Sequence, residues 1–334
     1  MDIVYMDGGL GNQVFQYIFA RYLEETEKTR VLIDDMHFFL LEDEINTNRI
    51  SKPANSSEKI THNGYELEYV FPNIEKPILL SEYFDEDVWM YMKSELKNSK
   101  LQAPGPGVSR LLLENGFDLS ILIEAGILGE LASLTCPIFR TPANRFNSDV
   151  ASLHGDVYYY GYWINPSWFN RYRDLFLKEM AFRPITDSRN KQYEREIRNS
   201  LAIGVHVRRG DFVRMNIALD ESYYHKVMTL LLEQLPEATY FVFSDDLEWC
   251  KKNRKELGFL GSKTVFVEGN YDYKNNYIDI QLMSYCNVLV EGRSSFSYLA
   301  GLLNQTPGFK AIQLRKPPID DMAGSLKRVV LKYD

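Results

Sequence analysis

The sequence is poor in cysteine and has no long apolar run, and each shortage excludes a class of protein. Only three cysteines occur in 334 residues, Cys136, Cys250 and Cys286. Their scatter and odd number argue against a disulfide framework and against a zinc site. The most apolar stretch, 119–139, is interrupted by Glu124 and Glu130, so we expect an amphipathic or core helix there rather than a membrane span.

The first residues lack the features of a secretory leader. Residues 1–5 pass directly into a strand-like run, without a basic region or an apolar core. Together with the unpaired cysteines, this predicts a reducing, cytoplasmic location. Without a spanning segment, stable membrane insertion is not expected, and any membrane association is limited to a peripheral one at the inner face.

Basic residues are also too few for a nucleic-acid partner. There are 38 lysines and arginines against 46 aspartates and glutamates, which gives a net charge of −8. No basic stripe is available to neutralise a phosphate backbone, so any anion must be bound locally. With 45% apolar and 13% aromatic residues, a chain of this length can bury two cores, which favours two domains.

Strand-like and helix-like segments alternate in both halves of the chain. A strand at residues 3–5, a glycine turn, a helix at 12–25 and a strand at 30–33 form one βαβ unit. From Leu201 the alternation returns, with strands predicted at 201–207, 240–243, 264–267, 288–290 and 311–314. This pattern predicts mostly parallel, doubly wound sheets. We expect the domain boundary between residues 163 and 189, where prolines and a polar segment interrupt the pattern, and we divide the chain into domains 1–165 and 166–334. The less regular stretch 85–155 is expected to extend the first domain.

The most informative segment joins a buried strand to a group of charges. The apolar run 201–207 is followed directly by Arg208, Arg209 and Asp211. In open α/β sheets, ligands bind at the carboxyl ends of the strands. Two guanidinium groups there can clamp an anion such as a phosphate or diphosphate. The alternative is an ordinary charged turn after a strand.

Three further polar clusters also stand at strand ends. Residues 8–13 form a glycine turn whose free amides suit an anion, but Leu10 and Gln13 break the dinucleotide-binding pattern. Residues 243–246 can cap a helix, place an aspartate against guanine, or do both, with one carboxylate capping and the other reading the base. Residues 293–297 offer hydroxyls and amides, either as a cap or for phosphate oxygens.

Six motifs together resemble those of the bacterial α-1,2-fucosyltransferases, glycosyltransferase family eleven. They lie at residues 8–13, 62–67, 161–163, 206–211, 243–246 and 294–297. The resemblance implies a GT-B fold of two facing Rossmann-like domains, GDP-fucose as donor and a terminal galactose in an oligosaccharide or glycolipid as acceptor. It also implies inversion at the anomeric carbon and no required metal or cofactor. One departure is Arg293, where the family usually has asparagine.

The resemblance and the expected chemistry assign roles to the motif residues. We expect Arg208, His206 and Asp211 to be catalytic, with Arg208 meeting the charge that develops on the leaving diphosphate. The proposed base remains open among Asp211, His206 and Glu66. Arg209 points to the opposite face of the extended segment, where a salt bridge to Asp211 or Asp246 is expected.

The binding residues divide between the two domains. The expected donor contacts, made mainly by the C-terminal domain, are Gly11, Asn12, Ser244, Asp245, Ser294, Ser295 and Phe296. Asp245 is the expected reader of guanine, with Asp246 as the alternate. The expected acceptor contacts, in the N-terminal domain, are His62, Asn63, Glu66 and Trp163, whose aromatic face can stack on a sugar.

Other classes of function are compatible with parts of the sequence. Asp85 and Asp87 match the Asp-x-Asp pattern of a metal-dependent GT-A glycosyltransferase. The Gly8 turn with Asp34 matches part of a nicotinamide-dependent oxidoreductase. A non-catalytic nucleotide-sugar-binding protein is the third alternative, and donor hydrolysis distinguishes it from an enzyme.

Overall fold

The structure is a computed structural model that describes residues 2–43, 63–98, 108, 111–112, 121–126, 138–142, 157–259, 263–272, 274–314 and 328–331. These residues form two compact units. Described residues up to Ala181 belong to the first unit and those from Phe182 onward to the second.

The first unit contains a six-stranded sheet. Its strands are β1 (Asp2–Tyr5), β2 (Val31–Asp34), β3 (Ile78–Leu79), β4 (Ile121–Gly126), β5 (Ile138–Pro142) and β6 (Val157–Tyr160). They run in the order β3-β2-β1-β6-β4-β5, and every neighbouring pair is parallel. The helices of this unit are Leu10–Glu27, Met36–Leu40, Leu67–Val70, Leu80–Tyr83, Glu86–Asn98, Pro166–Arg171 and Arg173–Glu179.

The second unit contains another six-stranded sheet of the same kind. Its strands are β7 (Ala202–Val207), β8 (Thr239–Ser244), β9 (Lys263–Phe266), β10 (Val288–Val290), β11 (Lys310–Leu314) and β12 (Arg328–Leu331). Their order is β12-β11-β10-β7-β8-β9, again with parallel pairing. The helices are Ser188–Arg198, Gly210–Arg214, Glu221–Gln234, Leu247–Lys252, Asn276–Met283 and Ser295–Leu303.

Both sheets have helices in their crossover connections, and their central strands are buried. Every residue of β7 and β8 is buried, which explains why both read as continuous apolar runs rather than as alternating patterns. In the second unit, Val205 and Val242 pack with Tyr224 of helix Glu221–Gln234. In the first, Tyr5 and Leu32 belong to the core. The prediction of two Rossmann-like domains with parallel sheets, as in the GT-B class, is confirmed.

Each sheet has a point at which the strand order reverses. In the first unit the chain fills the sheet on one side of β1 and then crosses over to the other side, where it forms β4 and β5 before β6 pairs with β1. In the second it does the same around β7, with β10 on the far side. Ligands of open α/β sheets bind outside the carboxyl ends of the strands at such points. The loops after β1, β6, β7 and β10 are therefore the first places to look for a site.

The boundary between the units lies within the expected interval of 163–189, but later than the division at residue 165. Pro166, one of the residues expected to interrupt the pattern, occupies the first turn of helix Pro166–Arg171, which Asn165 caps. Proline suits that position, since the amide it lacks has no partner within the helix. Trp168 of this helix packs on Phe19, with ring centroids 4.6 Å apart. The segment therefore belongs to the first unit.

The expectation of a helix at 119–139 is wrong. The described part of this stretch contains β4 and the start of β5, separated by residues outside the described ranges. A short apolar run does not distinguish a buried strand from a buried helix by periodicity. Among the described helices, none is long and apolar enough to cross a membrane.

Candidate functional site

Arg208 lies just beyond the carboxyl end of β7 and is held by two carboxylates. Its Nη2 is 2.6 Å from Asp211 Oδ1, and its Nη1 is 2.9 Å from Asp245 Oδ2. Asp211 comes from the short helix after β7, whereas Asp245 follows the neighbouring strand β8. The two ion pairs restrain the guanidinium group, and the Arg208 side chain is 26% exposed. A guanidinium has five N–H donors, so donors remain for a ligand.

Arg209 turns away from Arg208 and is engaged elsewhere. Its guanidinium lies 3.3 Å from the centroid of the Trp249 ring, and its Nε is 3.4 Å from Asp246 Oδ2. This is the salt bridge that side-chain alternation predicts. The Arg209 backbone N–H donates to Asp245 Oδ1 at 2.8 Å. The Arg209 guanidinium is therefore occupied, and Arg208 is the cation presented at the end of β7.

The segment after β8 holds this arrangement in place. Ser244 Oγ donates to the Val207 carbonyl oxygen at 2.6 Å and accepts from the Asp246 N–H at 3.0 Å. Asp246 caps helix Leu247–Lys252 by accepting from the Trp249 N–H at 3.2 Å. The helix-cap interpretation of this cluster is thus confirmed. Ser244, expected to contact the donor, is buried and joins β8 to β7 instead.

Both carboxylate oxygens of Asp245 already have a partner in the second unit. One of its oxygens accepts from the Arg209 N–H and the other pairs with Arg208 Nη1. Each carboxylate oxygen can accept more than one hydrogen bond. Asp245 therefore helps to orient Arg208, and its expected role in reading guanine stays a prediction. The sequence alone places Asp245 at a strand end but does not reveal which neighbouring strand supplies its partner.

His206 is a buried, neutral residue rather than an exposed base. It is 4% exposed, its ring is stacked on Phe296 at 5.7 Å, and its carbonyl oxygen accepts from Tyr224 Oη at 3.1 Å. Burial, with the nearby Arg208 charge, lowers the pKa of His206 to about 3. At this pKa the neutral ring is a weak base, and it is buried, which disfavours the catalytic role predicted for His206.

The loop after β10 lies against His206 and presents a cation. A Cβ at Gly292 would lie 2.6 Å from the His206 carbonyl oxygen, so only glycine fits there. Arg293 follows with φ of 55°, a left-handed conformation that asparagine tolerates better than arginine does. Among the described residues it has no ion-pair or hydrogen-bond partner. Arg293 is thus a partly exposed cation near the point where the strand order reverses.

Ser294, Ser295 and Phe296 form the start of the helix that follows. Ser294 Oγ accepts from the Phe296 N–H at 3.3 Å and caps helix Ser295–Leu303. Ser297, which is fully buried, accepts from the Gly292 N–H at 3.2 Å. Ser294, Ser295 and Phe296 are each partly exposed. The cap interpretation is correct for Ser294, and the partial exposure keeps this turn available to phosphate oxygens.

In the first unit, the glycine turn is held together by a buried glutamine. Gln13 Nε2 donates to the carbonyl oxygens of Gly8 and Gly64 at 2.9 and 2.8 Å, and its Oε1 accepts from the Glu66 N–H at 2.9 Å. Gly8 has φ of 74°, and a Cβ there would meet Asn12 Nδ2 at 2.6 Å. The turn is therefore a rigid structure that fixes residues 63–66 beside the start of helix Leu10–Glu27.

The expected donor and acceptor residues of this unit are largely committed to that structure. Gly11 is buried in the first helical turn, and the Asn12 N–H donates to the Gly9 carbonyl oxygen at 2.9 Å. The Asn12 amide is therefore corrected from a donor contact to part of the turn. Glu66 is buried and accepts from Asn63 Nδ2 at 3.0 Å. His62 lies outside the described residues.

Trp163 is a core residue. It is 0% exposed, and its ring is stacked on Phe19 with centroids 4.4 Å apart and planes 18° apart. No face of the ring is available to a sugar, which corrects the expected acceptor role. Its neighbours Gly161 and Tyr162, which directly follow β6, are partly exposed.

Sequence reasoning missed the residues that join β1 to β6. Gln16 Oε1 accepts from the Asp7 N–H at 3.1 Å, while its Nε2 donates to Asp7 Oδ1 at 3.1 Å and to the Gly161 carbonyl oxygen at 3.0 Å. Gln16 is fully buried. The signal in the sequence is a pair of amides, Gln13 and Gln16, on the apolar face of a helix, since buried polar groups require partners.

The residues of the alternative functions are placed differently. Asp34 is fully buried and accepts from Tyr158 Oη and from the Met36 N–H, so its carboxylate is not available to a ribose. Asp85 and Asp87 are exposed at the start of helix Glu86–Asn98, where acidic residues are favoured by the helix dipole. Within the described ranges, no group of three or more potential metal ligands occurs.

Known proteins resemble this chain in sequence. Residues 140–324 match the family described as Glycosyl transferase family 11. An Escherichia coli alpha-1,2-colitosyltransferase is 30% identical over 234 residues, which cover 62% of this chain and 79% of that protein. The Escherichia coli O-antigen biosynthesis glycosyltransferase WbnK is 24% identical over 322 residues, covering 90% and 89%. The Mus musculus galactoside 2-alpha-L-fucosyltransferase Sec1 is 26% identical over 162 residues, covering 44% and 42%.

A solved structure is similar over most of its length. The NodZ alpha-1,6-fucosyltransferase co-crystallised with GDP is 12% identical, with a TM-score of 0.49 and coverage of 90% of this chain and 91% of that one.

Proposed function

Because the chain belongs to glycosyl transferase family 11, we propose that it transfers fucose from GDP-fucose to the 2-hydroxyl of a terminal galactose. The product is an α-1,2-linked glycan formed with inversion at the fucose anomeric carbon. Two relatives support the linkage, since one is an alpha-1,2-colitosyltransferase and another a galactoside 2-alpha-L-fucosyltransferase.

The observation that carries this proposal is the arrangement of Arg208. When the bond between fucose and GDP breaks, negative charge develops on the β-phosphate and positive charge on the sugar. A preorganised donor aimed at the developing charge lowers the barrier. Asp211 and Asp245 hold Arg208 in one orientation through Nη2 and Nη1, so the guanidinium need not reorganise as the reaction proceeds.

The charge balance near Arg208 indicates a second cation for the diphosphate. Arg208 and Arg209 pair with Asp211, Asp245 and Asp246, which leaves two positive groups against three negative ones. A diphosphate is itself an anion, so this cluster alone does not favour it. Arg293, on the loop after the adjacent strand β10, supplies a further positive charge beside the hydroxyls of Ser294 and Ser295. We therefore assign the donor to the second unit and the acceptor to the first.

Colitose is a second candidate for the transferred sugar. It is fucose without the 3-hydroxyl, and the relative at 30% identity is a colitosyltransferase. The leaving group and its stabilisation by Arg208 are the same for both donors. Discrimination between them depends on whether a protein group forms a hydrogen bond to the 3-hydroxyl, because such a group left unpaired disfavours the deoxy sugar.

The test is a transfer assay with defined donors and acceptors. GDP-fucose and GDP-colitose are each offered with lactose and with lactose methylated at the galactose 2-hydroxyl, and the product linkage is determined by NMR. We expect α-1,2-fucosyl lactose, with no product from the methylated acceptor. Faster transfer of colitose would change the donor assignment, and a product from the methylated acceptor would contradict the linkage. Arg208→Lys serves as the matched variant that keeps the charge but loses the fork of donors.

A further inference from the structure

The three groups expected to accept the acceptor proton are all buried. His206 is 4% exposed, Asp211 7% and Glu66 4%. In addition, Asp211 is paired with Arg208, and Glu66 accepts from Asn63. A general base must reach the hydroxyl within hydrogen-bond distance, or through one water. The proton in the proposed transfer therefore needs a different acceptor on the surface of the first unit.

Asp7 lies where such a group is needed. It follows β1 at the start of the glycine turn, beside β6, at the point where the strand order of the first sheet reverses. The residue is partly exposed. Gln16 fixes the residue by accepting from its N–H and donating to its Oδ1, both at 3.1 Å. Among the described residues, no partner is bonded to Asp7 Oδ2.

The surroundings of Asp7 favour proton exchange near neutral pH. The titratable groups that face it are the phenols of Tyr5 and Tyr162. Neither is cationic, and no described cation contributes to its titration. Burial raises the pKa of Asp7 to about 6. The hydrogen bond from Gln16 acts in the opposite direction and lowers this pKa. A carboxylate with such a pKa is ionised at neutral pH and still basic enough to take a proton.

Two other acidic residues of the same sheet show that a raised pKa alone does not identify a base. Asp34 and Asp35 also have raised pKa values, of about 7 and about 6, caused mainly by burial. However, both are buried. Asp34 accepts from Tyr158 Oη and the Met36 N–H, and Asp35 from the N–H and hydroxyl of Ser81. Asp7 differs from both in its exposure and in its free oxygen.

We propose that Asp7 is the general base of the transfer reaction. The proton of the acceptor 2-hydroxyl moves to Asp7 Oδ2 as the hydroxyl oxygen forms a bond to the fucose anomeric carbon. The bond between that carbon and the β-phosphate oxygen breaks, and GDP leaves with the electron pair. Asp7 then releases the proton to solvent. This inference rests on the proposed function and identifies a residue that the motif comparison did not assign.

The test compares Asp7→Asn with Asp35→Asn. Both variants remove a carboxylate whose pKa is about 6, but only Asp7 is placed to contact the acceptor. We expect kcat of the wild type and of Asp35→Asn to fall as the pH drops below about 6, because the base becomes protonated. In Asp7→Asn, kcat should be about 10²- to 10⁴-fold lower, and this acid limb should be absent. GDP affinity, measured by calorimetry, should change less than about twofold.

The outcomes separate this inference from the proposed function. Asp7→Asn with wild-type kcat and an unchanged acid limb would overturn the role of Asp7 while leaving the transfer reaction intact. An acid limb that disappears in Asp35→Asn instead would also overturn it. A wild-type protein that transfers neither sugar to any galactoside would contradict the proposed function. Circular dichroism checks that the variants are folded, and if Asp7→Asn is not, Asp7→Ser must show the same loss of the limb.

Discussion

Arg208 is the residue on which the proposed chemistry depends most. Two carboxylates hold it, so its donors are directed before the substrate arrives. Replacing it by alanine should lower kcat by at least about 10²-fold, the scale for removing one preorganised donor. Arg208→Lys should recover little of this loss, because an ammonium does not reproduce the planar fork that Asp211 and Asp245 fix.

Steady-state kinetics and GDP calorimetry measure these effects for both variants. Arg209→Lys is the matched control, because that guanidinium is engaged with Trp249 and Asp246 and should affect folding stability more than turnover. Near wild-type kcat in Arg208→Lys would show that the charge alone matters at this position.

Arg293 is the second residue-scale test. Its left-handed backbone conformation and its lack of a described protein partner suggest that its charge serves a ligand. Arg293→Asn keeps a residue that accepts this conformation and removes the charge. We expect weaker GDP binding by about 1 to 3 kcal/mol, the range for a hydrogen bond to a charged group, and a smaller effect of salt on affinity.

Calorimetry at low and high ionic strength measures both quantities for Arg293. If affinity and salt dependence are the same in the wild type and in Arg293→Asn, the guanidinium points away from the donor. The backbone amides at the start of helix Ser295–Leu303 would then have to bind the diphosphate together with Arg208.

At the scale of elements, the sequence identifies which residues stand at strand ends but not which partners they meet. Alternation along an extended segment predicts a salt bridge from Arg209 to Asp211 or Asp246, and the structure has the one to Asp246. The role of Asp245 was not predictable, since its partner Arg208 comes from the adjacent strand. Similarly, Trp163 looked like a free aromatic face because nothing in its neighbourhood along the chain reveals the Phe19 ring beneath it.

The two buried glutamines illustrate the same limit. Gln13 and Gln16 lie on the face of helix Leu10–Glu27 that carries the apolar residues. Because buried polar groups are hydrogen-bonded, their positions indicate that each has hydrogen-bond partners in the fold. The partners, at Gly64, Glu66 and Gly161, are distant in sequence and come together only through the order of the strands.

The buried Asp34 at the end of β2 makes stability depend on pH. Burial raises its pKa from 3.8 to about 7, so the folded state holds the proton more tightly than the unfolded chain does. The contribution of Asp34 to the free energy of unfolding should therefore be largest below about pH 4, and it should fall as the pH rises to about 7. Asp34→Asn does not ionise and should reduce this fall by about 1 to 4 kcal/mol.

Urea unfolding at several pH values measures the effect of Asp34→Asn. The exposed Asp87→Asn is the control, since its carboxylate lies at the surface at the start of a helix and should leave the slope unchanged. Equal slopes for Asp34→Asn and the wild type would mean that Asp34 is already ionised in the folded protein.

At the scale of the whole molecule, the chain carries a net charge of −8, whereas the donor proposed for it contains an anionic diphosphate. Long-range attraction does not favour this donor, because the average field repels an anion. The proposed binding therefore depends on a few cations at the carboxyl ends of the strands. In the described part of the second unit, Arg208 and Arg293 are proposed for this role. The fold could be predicted from alternating segments along the chain, whereas the site depends on contacts between residues that are distant in sequence.

This local arrangement predicts that transfer does not depend on a divalent cation. Guanidinium groups, helix-start amides and hydroxyls are proposed to hold the diphosphate, so activity should persist in excess EDTA. The variant carrying both Asp85→Asn and Asp87→Asn should have wild-type kcat, because these carboxylates lie on a helix start of the first unit. Complete loss of transfer in EDTA, restored by manganese and abolished in the double variant, would assign the diphosphate to a metal held by Asp85 and Asp87. If the wild type loses transfer in EDTA but the double variant is fully active without EDTA, such a metal would lie elsewhere. Both outcomes would contradict the role proposed for Arg208.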